Sequence, residues 1–491
     1  MIGLYLNTIF WLLLFLFFSM ISFIIINKKD IIREFAHIRR NSWLLLALMI
    51  LVGFGLRLAF PEMHLMFLDE QMYMDMASNM LEGKGPIVCQ DGCYPAFKAP
   101  GWPFLISLAF VLIKDNLFII HMMEILGSLS IPLVFLVTYL LYKDEAASFS
   151  AAAILAFVPV HIIWSNTIES NVVSVFFILL SILFYLIYLK SRRWQLLILV
   201  CLMLLITFLT RFENMILFPL FASDYLSRLK RFASRRDDIM FLGIFFTFAM
   251  IILSLTLVYP GLKGQYLTVD HFLLYVFGLF KTSSFYFLLA IPAIIYMIFG
   301  KKHHTLLYSS FFMFFVVYLP FFSEPRVALV PMIFMILIAA GAATLKPRIC
   351  FNFGMLVIVA VLLGFAVLTA IDVPVRYDSY IAQTEAMSDI AQILPEGCLF
   401  ISEYPLVVSS FTEIDSMSSK SYLLKNLTNM GSCIYYFWDG YCIDDKLSHA
   451  RDSQDRCQSI LDSRSWQPVR EYSEGEVEFS LFSIEPCDPL S

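Results

Sequence analysis

With 491 residues, 60% of them apolar and 49 of them Phe, and a mean hydropathy of +0.78, the chain is too apolar to be a soluble globular protein. It reads as a polytopic α-helical membrane protein. The formal net charge of −5 hides a segregation of signs that sets orientation, because loops rich in Lys and Arg stay in the cytoplasm.

The first apolar run, residues 4–26, is too long for the core of a secretory signal and has no small-residue cleavage pattern behind it, so it is expected to persist as a span. KKDIIREFAHIRR follows, with Lys28, Lys29, Arg33, Arg39 and Arg40, and is placed inside. A second span over 43–60 delivers the next segment to the outer face. That segment, residues 61–101, begins PEMHLMFLDEQMYMDMASNMLEGKG and closes YPAFKAPGWP. It holds Asp69, Glu70, Asp75, Glu82, Lys84, Asp91 and Lys98, with Gly83 and Gly85 ending a short helix. A carboxylate pair beside a membrane, then a lysine before a Pro-Gly turn, suits a site where a hydroxyl gives up its proton and a phosphate is held.

Residues 102–113 form an apolar stretch of about twelve residues, well short of the roughly 20 a span needs. Parity between basic loops puts both its ends outside, so a juxtamembrane or re-entrant helix is expected. Spans over 117–142, 146–163 and 172–189 lead to Lys190, Arg192 and Arg193. Two short helices then meet at TRFEN, with Arg211 and Glu213 at their outer turn. Further spans are expected over 240–259, through 285–299, and over 306–321, 327–344 and 351–370. The count is twelve spans with both termini outside, divided into two N-terminal helices (1–60), an outer loop with juxtamembrane helices (61–116) and the remaining bundle (117–370).

Residues 371–491 lose the long apolar runs and are expected to form a small extracytoplasmic α/β domain. Helical spacing shows near 380–394, and β-like runs at CLFISEY, CIYYFWDGY and EVEFSLFSI. Cys398, Cys433, Cys442, Cys457 and Cys487 lie here, and Cys89 and Cys93 lie in the first outer loop, all on the side where disulfides persist. Spacing leaves their pairing open, although Cys89 and Cys93 could close a tiny loop. Asn426-Leu427-Thr428 matches the glycosylation acceptor pattern.

Charges at the membrane edge are costly and therefore functional candidates. By parity they are Arg57, Asp69, Glu70, Lys98, Glu169, Arg211, Glu213, Glu324 and Arg326, and a ring around one outer cavity would keep them out of lipid. Each also has a plainer reading: capping of the following helix for Asp69 and Glu70, snorkelling for Lys98, helix anchoring for Arg57 and Arg326, a loop charge for Glu169, and a mutual pair for Arg211 and Glu213. Asp75 shares a helix face with Ser78 and Asn79 that could simply be solvated. One histidine, His64, and scattered carboxylates do not make a metal ligand set.

The order LDEQMYMDMASNMLEGKG, KAPGWP, FVPVHIIWSNTIESN, TRFEN and EPRVALVPMIFMILIAAGAA resembles the GT-C glycosyltransferases, nearest the branch of the protein O-mannosyltransferases and the lipid A aminoarabinose transferase, over about residues 57–343. The resemblance implies the GT-C fold. It also implies transfer of a sugar from a polyisoprenyl-phosphate donor to a lipid, glycan or protein acceptor at the outer or lumenal face of a cell membrane or endomembrane. Asp69 would then be the base and Glu70 its neighbour. Lys98, Arg326 and Arg211 would hold the donor phosphate, and Glu169, Tyr73, Arg57 and Glu213 would stand near the acceptor or behind it. No cofactor is certain, and a divalent metal stays open because some relatives in the wider superfamily use one. An extra span before the acidic loop and the Cys89–Cys93 insertion depart from the closest relatives and leave acceptor identity open. The rival class, a transporter or flippase of a lipid-linked sugar, usually carries internal repeats with broken helices in matching halves, and none is evident here.

Overall fold

The computed structural model describes residues 2–60, 68–89, 93–96, 98–113, 115–229, 285–300, 305–318, 329–346, 354–368 and, in the tail, 386–387, 389–390, 392–394, 398–403, 416–419, 422–423, 433–438, 442, 450–463, 465–474 and 477–484. The expected span over 240–259, Arg326, Glu324, His64, Asp91 and the Asn426 triplet lie outside these residues. The chain divides into two compact units, one of Met1–Glu62 with Phe97–Ala370, the other of Met63–Ala96 with Ile371–Ser491.

The first unit is helical. Its elements are α1 (Ile2–Phe35), α2 (Arg40–Leu58), α4 (Gly101–Leu112), α5 (Asn116–Tyr142), α6 (Glu145–Phe157), α7 (Pro159–Trp164), α8 (Ser170–Ser191), α9 (Trp194–Thr210), a 3-10 turn (Phe212–Ile216) and α10 (Leu217–Leu229). They are followed by α11 (Phe285–Phe299), α12 (Thr305–Tyr318), α13 (Leu329–Ala340) and α14 (Gly354–Leu368). Among the described residues four helices are long and apolar enough to cross a membrane, those ending at Phe35, Leu58, Tyr142 and Ser191. α5 packs on α6 and α8, α8 on α9, α2 on α5 and α1 on α9. α8 and α9 are buried nearly throughout, whereas α1 and α2 turn Trp11, Phe15, Phe18, Leu44 and Leu51 outward, as helices facing lipid do.

Local chemistry sets the breaks. Asp115 and Asp144 accept hydrogen bonds from Leu117 N–H (3.0 Å) and Ala147 N–H (3.0 Å), starting α5 and α6. Lys143 and Arg192 end α5 and α8 in the left-handed region, at φ 55° and 56°. Pro159 has no N–H to continue α6 and forces Val158 extended, so the helix restarts as α7.

α1 is longer than its apolar run: it continues through the basic segment to Phe35. Its last turns carry acids as well as bases. Glu34 takes Lys190 at 2.7 Å, and Asp30 pairs with Arg193 and with Arg33. These contacts gather the end of α1, the end of α8 and the start of α9 at one end of the unit. The end of α2, the start of α8 and the end of α9 therefore lie at the other.

The second unit contains α3 (Leu68–Leu81) and the hairpin β1 (Ile87–Cys89) with β2 (Cys93–Pro95). A Cys89–Cys93 disulfide closes the hairpin. The tail contributes β3 (Leu399–Ser402), β4 (Ser416–Ser418), β5 (Ile434–Trp438), α15 (Ala450–Ser463), β6 (Trp466–Glu474) and β7 (Val477–Ile484). The strands make one mixed sheet in the order β4-β3-β5-β7-β6, parallel at β3 with β4 and β5 and antiparallel at β7. Phe400, Tyr435, Phe437, Phe479 and Leu481 build an apolar layer on one face, and Ile401, Ile434, Tyr436 and Ile460 build one on the other. A Cys442–Cys457 disulfide ties α15 to the chain after β5.

Candidate active site

In the first unit the candidate residues come together because α4 seats directly on α9. A Cβ on Gly101 would lie 2.6 Å from the Leu209 carbonyl oxygen, so only glycine permits that approach. Trp102, fully buried, donates its indole N–H to the Ile168 carbonyl at 2.8 Å. These two contacts bring the Lys98 segment beside the start of α8 and the end of α9. Glu169, 1% exposed, occupies the residue before α8 in extended conformation.

Arg211 ends α9, donates through Nη1 to Asn171 Oδ1 on α8, and faces Glu213 with its Nη2 at 3.3 Å. Burial favours the neutral Glu213 acid, but the Arg211 guanidinium, hydrogen bonds and the Lys98 charge outweigh it and hold the carboxyl below its ordinary value. One residue further on, Asn214 donates to Ser174 Oγ at 2.8 Å and to the Thr207 carbonyl at 2.9 Å. Two rungs, Asn171–Arg211 and Ser174–Asn214, thus join α8 to the 3-10 turn, and Lys98 and Arg211 supply cations at the same end.

Arg57 is fully buried in the last turn of α2. Its guanidinium donates to the Gly53 carbonyl at 2.6 Å and to Ser165 Oγ at 3.2 Å, and it lies 2.7 Å from His161 Nδ1. Arginine only donates, so Nδ1 accepts and the imidazole proton sits on Nε2, which has no partner among the described residues. Gly127 makes room for this group: a Cβ there would fall 2.4 Å from Ser165 Oγ and 3.0 Å from Arg57 Nε. Buried Glu124, one turn earlier on α5, meets His121 at 2.8 Å. The cluster braces α2 against the α7 segment that carries the chain toward Glu169.

In the second unit Asp69 and Glu70 stand in the first turn of α3, Glu70 and Tyr73 buried and Asp69 partly exposed. The helix dipole favours both carboxylates there. Two turns along, Asp75 accepts from the Cys89 N–H at 2.6 Å and from Asn79 at 3.1 Å, and Asn79 also donates to the Ile87 carbonyl at 3.2 Å. Burial pushes the Asp75 carboxyl up to about 6 against these bonds and the Lys84 charge, with Glu82 adding to the rise. Asp75 therefore holds the disulfide hairpin to the helix of the acidic pair, a role its sequence position did not announce. Among the described residues no three His, Cys, Asp or Glu side chains gather as a metal site.

The residues that sequence reasoning passed over are mostly neutral: Asn171, Asn214, Ser165 and His161. Asn171 and Asn214 stand inside the SNTIESN and TRFEN motifs, but an amide adds nothing to a charge count, and their partners lie 40 residues away.

Residues 97–259 match the family model described as dolichyl-phosphate-mannose-protein mannosyltransferase. No curated protein sequence matches the chain significantly. Among solved structures, ArnT from Cupriavidus metallidurans bound to undecaprenyl phosphate is similar with a TM-score of 0.57 and 12% identity, over 91% of this chain and 98% of that one. The Archaeoglobus fulgidus oligosaccharyltransferase AglB, in complex with an inhibitory peptide and a dolichol-phosphate, is similar with a TM-score of 0.56 and 10% identity, over 81% of this chain and 69% of that one. The fold of this chain is that of the GT-C membrane glycosyltransferases, as its order of motifs led one to expect.

Proposed function

We propose that the chain transfers a sugar from a polyisoprenyl-phosphate donor to an acceptor hydroxyl at the extracytoplasmic face of the membrane, with inversion at the anomeric carbon. The observation that carries this reading is that the Lys98 charge acts on Glu213, the partner of Arg211, beside the buried polar start of α8, a place where an anionic head group finds cations next to an apolar bundle suited to its tail. Similar folds solved with undecaprenyl phosphate and with dolichol-phosphate support the same donor class.

The chemistry asks little of the protein beyond position and charge. Asp69 takes the proton of the acceptor hydroxyl while the acceptor oxygen bonds to the anomeric carbon. The bond from that carbon to the phosphate oxygen breaks, and the polyisoprenyl phosphate departs with its electron pair. A phosphate leaves readily, so no general acid is required. Lys98, Arg211 and Arg326 hold the departing charge. Glu70 and Tyr73 support Asp69, Glu169 orients the acceptor, Glu213 sets Arg211, and Arg57 steadies the segment leading to Glu169.

The test is transfer of labelled sugar from a pool of polyisoprenyl-phosphate sugars in membranes, wild type against Asp69→Asn at matched expression. Loss of a general base should lower the rate about 10²- to 10⁴-fold with donor binding retained. Equal transfer in the two proteins removes Asp69 from the mechanism. Donor movement across the bilayer without transfer in either replaces this reading with that of a flippase.

A further inference from the structure

At the end of the helical unit away from Lys98 and Arg211, the last turns of α1 carry Asp30 and Glu34 one turn apart, and each carboxylate meets two cations. Glu34 takes Lys190 Nζ at 2.7 Å and Lys143 Nζ at 4.0 Å. Asp30 takes Arg193, and it takes Arg33 of its own helix at 3.4 Å. Among the described residues two carboxylates thus meet four cations. The two signs differ in access: the acids keep 5% and 17% of their side chains exposed, the four cations between 36% and 66%. The acids therefore tie the helices together from inside, and the outer edges of the guanidinium and ammonium groups stay open to an anion. Apolar side chains are exposed beside them, Ile26 and Ile32 on α1 and Trp194 next to Arg193.

We propose that this cluster is a site for the head group of an anionic phospholipid, in the leaflet that the basic loops place on the cytoplasmic side. Positive charge in excess of the acids suits a phosphodiester. Exposed apolar side chains within about a turn of the cations suit acyl chains, which a free phosphate ester lacks, and tryptophan is favoured at head-group level. The cluster lies at the opposite end of the unit from the cations of the proposed donor site, so it is separate from that site and does not depend on the transferase reading. Its four cations come from α1 (Arg33), the end of α5 (Lys143), α8 (Lys190) and the residue before α9 (Arg193). An anion that touches cations of two elements fastens the first helix to the bundle.

The experiment titrates phosphatidylglycerol, phosphatidylcholine and soluble glycerol phosphate into the purified full chain in detergent and reads each binding constant by native mass spectrometry. Arg33→Gln and Lys143→Gln remove the second cation of each acid and leave the Asp30–Arg193 and Glu34–Lys190 pairs in place. The attraction of one basic residue for an anionic lipid corresponds to about fivefold in affinity. Two excess charges therefore predict about thirtyfold tighter binding of phosphatidylglycerol than of phosphatidylcholine to the wild type; each single variant should keep about fivefold, and the double variant none. Arg39→Gln removes an exposed cation that pairs with Glu145 outside the cluster, and should leave the preference unchanged. Equal affinity for the two lipids in the wild type overturns the site, as does a preference that survives in the double variant. An equal loss in Arg39→Gln also overturns it, and means diffuse surface charge only. Glycerol phosphate bound as tightly as phosphatidylglycerol overturns the lipid in favour of a free phosphate ester. The unfolding midpoint reports that each variant is folded, and the single variants decide the matter if the double variant is not.

Discussion

Arg57 and Arg211 are both arginines at the same end of the helical unit, and their surroundings differ in kind. Arg57 is sealed at 0% exposure with a carbonyl, a hydroxyl and an imidazole for partners. Arg211 keeps 15% of its side chain exposed, pairs with a carboxylate that is 39% exposed, and sits among amides with unused atoms. A cation whose donors are taken up by neutral protein groups serves packing: it closes the helix break at Pro159 against α2. Arg211 keeps an exposed edge beside its carboxylate, and on that edge the proposed contact with the donor phosphate rests. Charge at a membrane edge therefore does not by itself mark a site; the identity of its partners does.

The sharpest way to break this contrast is Arg57→Ala, which leaves His161 and Ser165 buried without their donor. It should lower stability by about 3–5 kcal/mol, seen as a large drop in the thermal unfolding midpoint in detergent; a midpoint within a degree or two of wild type would end the bracing role. Arg211→Ala should act in the opposite register. Loss of one charge-assisted contact, about 1.5–3 kcal/mol, predicts a ten- to hundredfold weaker affinity for bare polyisoprenyl phosphate, with a smaller change in midpoint than Arg57→Ala. If the midpoint falls as far as it does for Arg57→Ala, the two arginines are alike after all. The smallest effect concerns Glu213. Its carboxyl titrates below the ordinary 4.5, so pairing with Arg211 contributes stability above that value and loses it as pH falls through the lowered folded-state value. With so much of the pair in water the contribution is under about 1 kcal/mol. Comparing unfolding from pH 7 to 3 in wild type and Glu213→Gln checks it, the variant lacking that part of the acid loss.

Hydropathy and basic clusters located α5, α8 and α11 to within two residues and set Arg211 and Glu213 at the turn between two short helices, because span length and loop charge are written locally. The resemblance likewise anticipated the GT-C fold. Hydropathy stops where lipid stops, so the last turns of α1, helical through charged residues that pair with α8 and α9, escaped it. In the tail β6 carries Gln, Arg and Glu among its apolar residues and α15 is strongly polar, and neither stands out by composition. The seam of Asn171 and Asn214 was illegible for another reason. Each rung joins residues 40 apart, so nothing near either amide in the sequence announces its partner.

The inner contacts of α1 bear on the order in which the molecule can assemble. Asp30 and Glu34 wait for Arg193 and Lys190, 163 and 156 residues further along the chain. A chain synthesised from its N-terminus leaves the end of the first helix without these two cations, Asp30 meeting only Arg33 of its own helix, until the start of the ninth helix emerges. Docking of the charged end of the first helix on the eighth and ninth is thus a late event of biogenesis, after the helix's contacts with Phe104 and Lys143 have become possible.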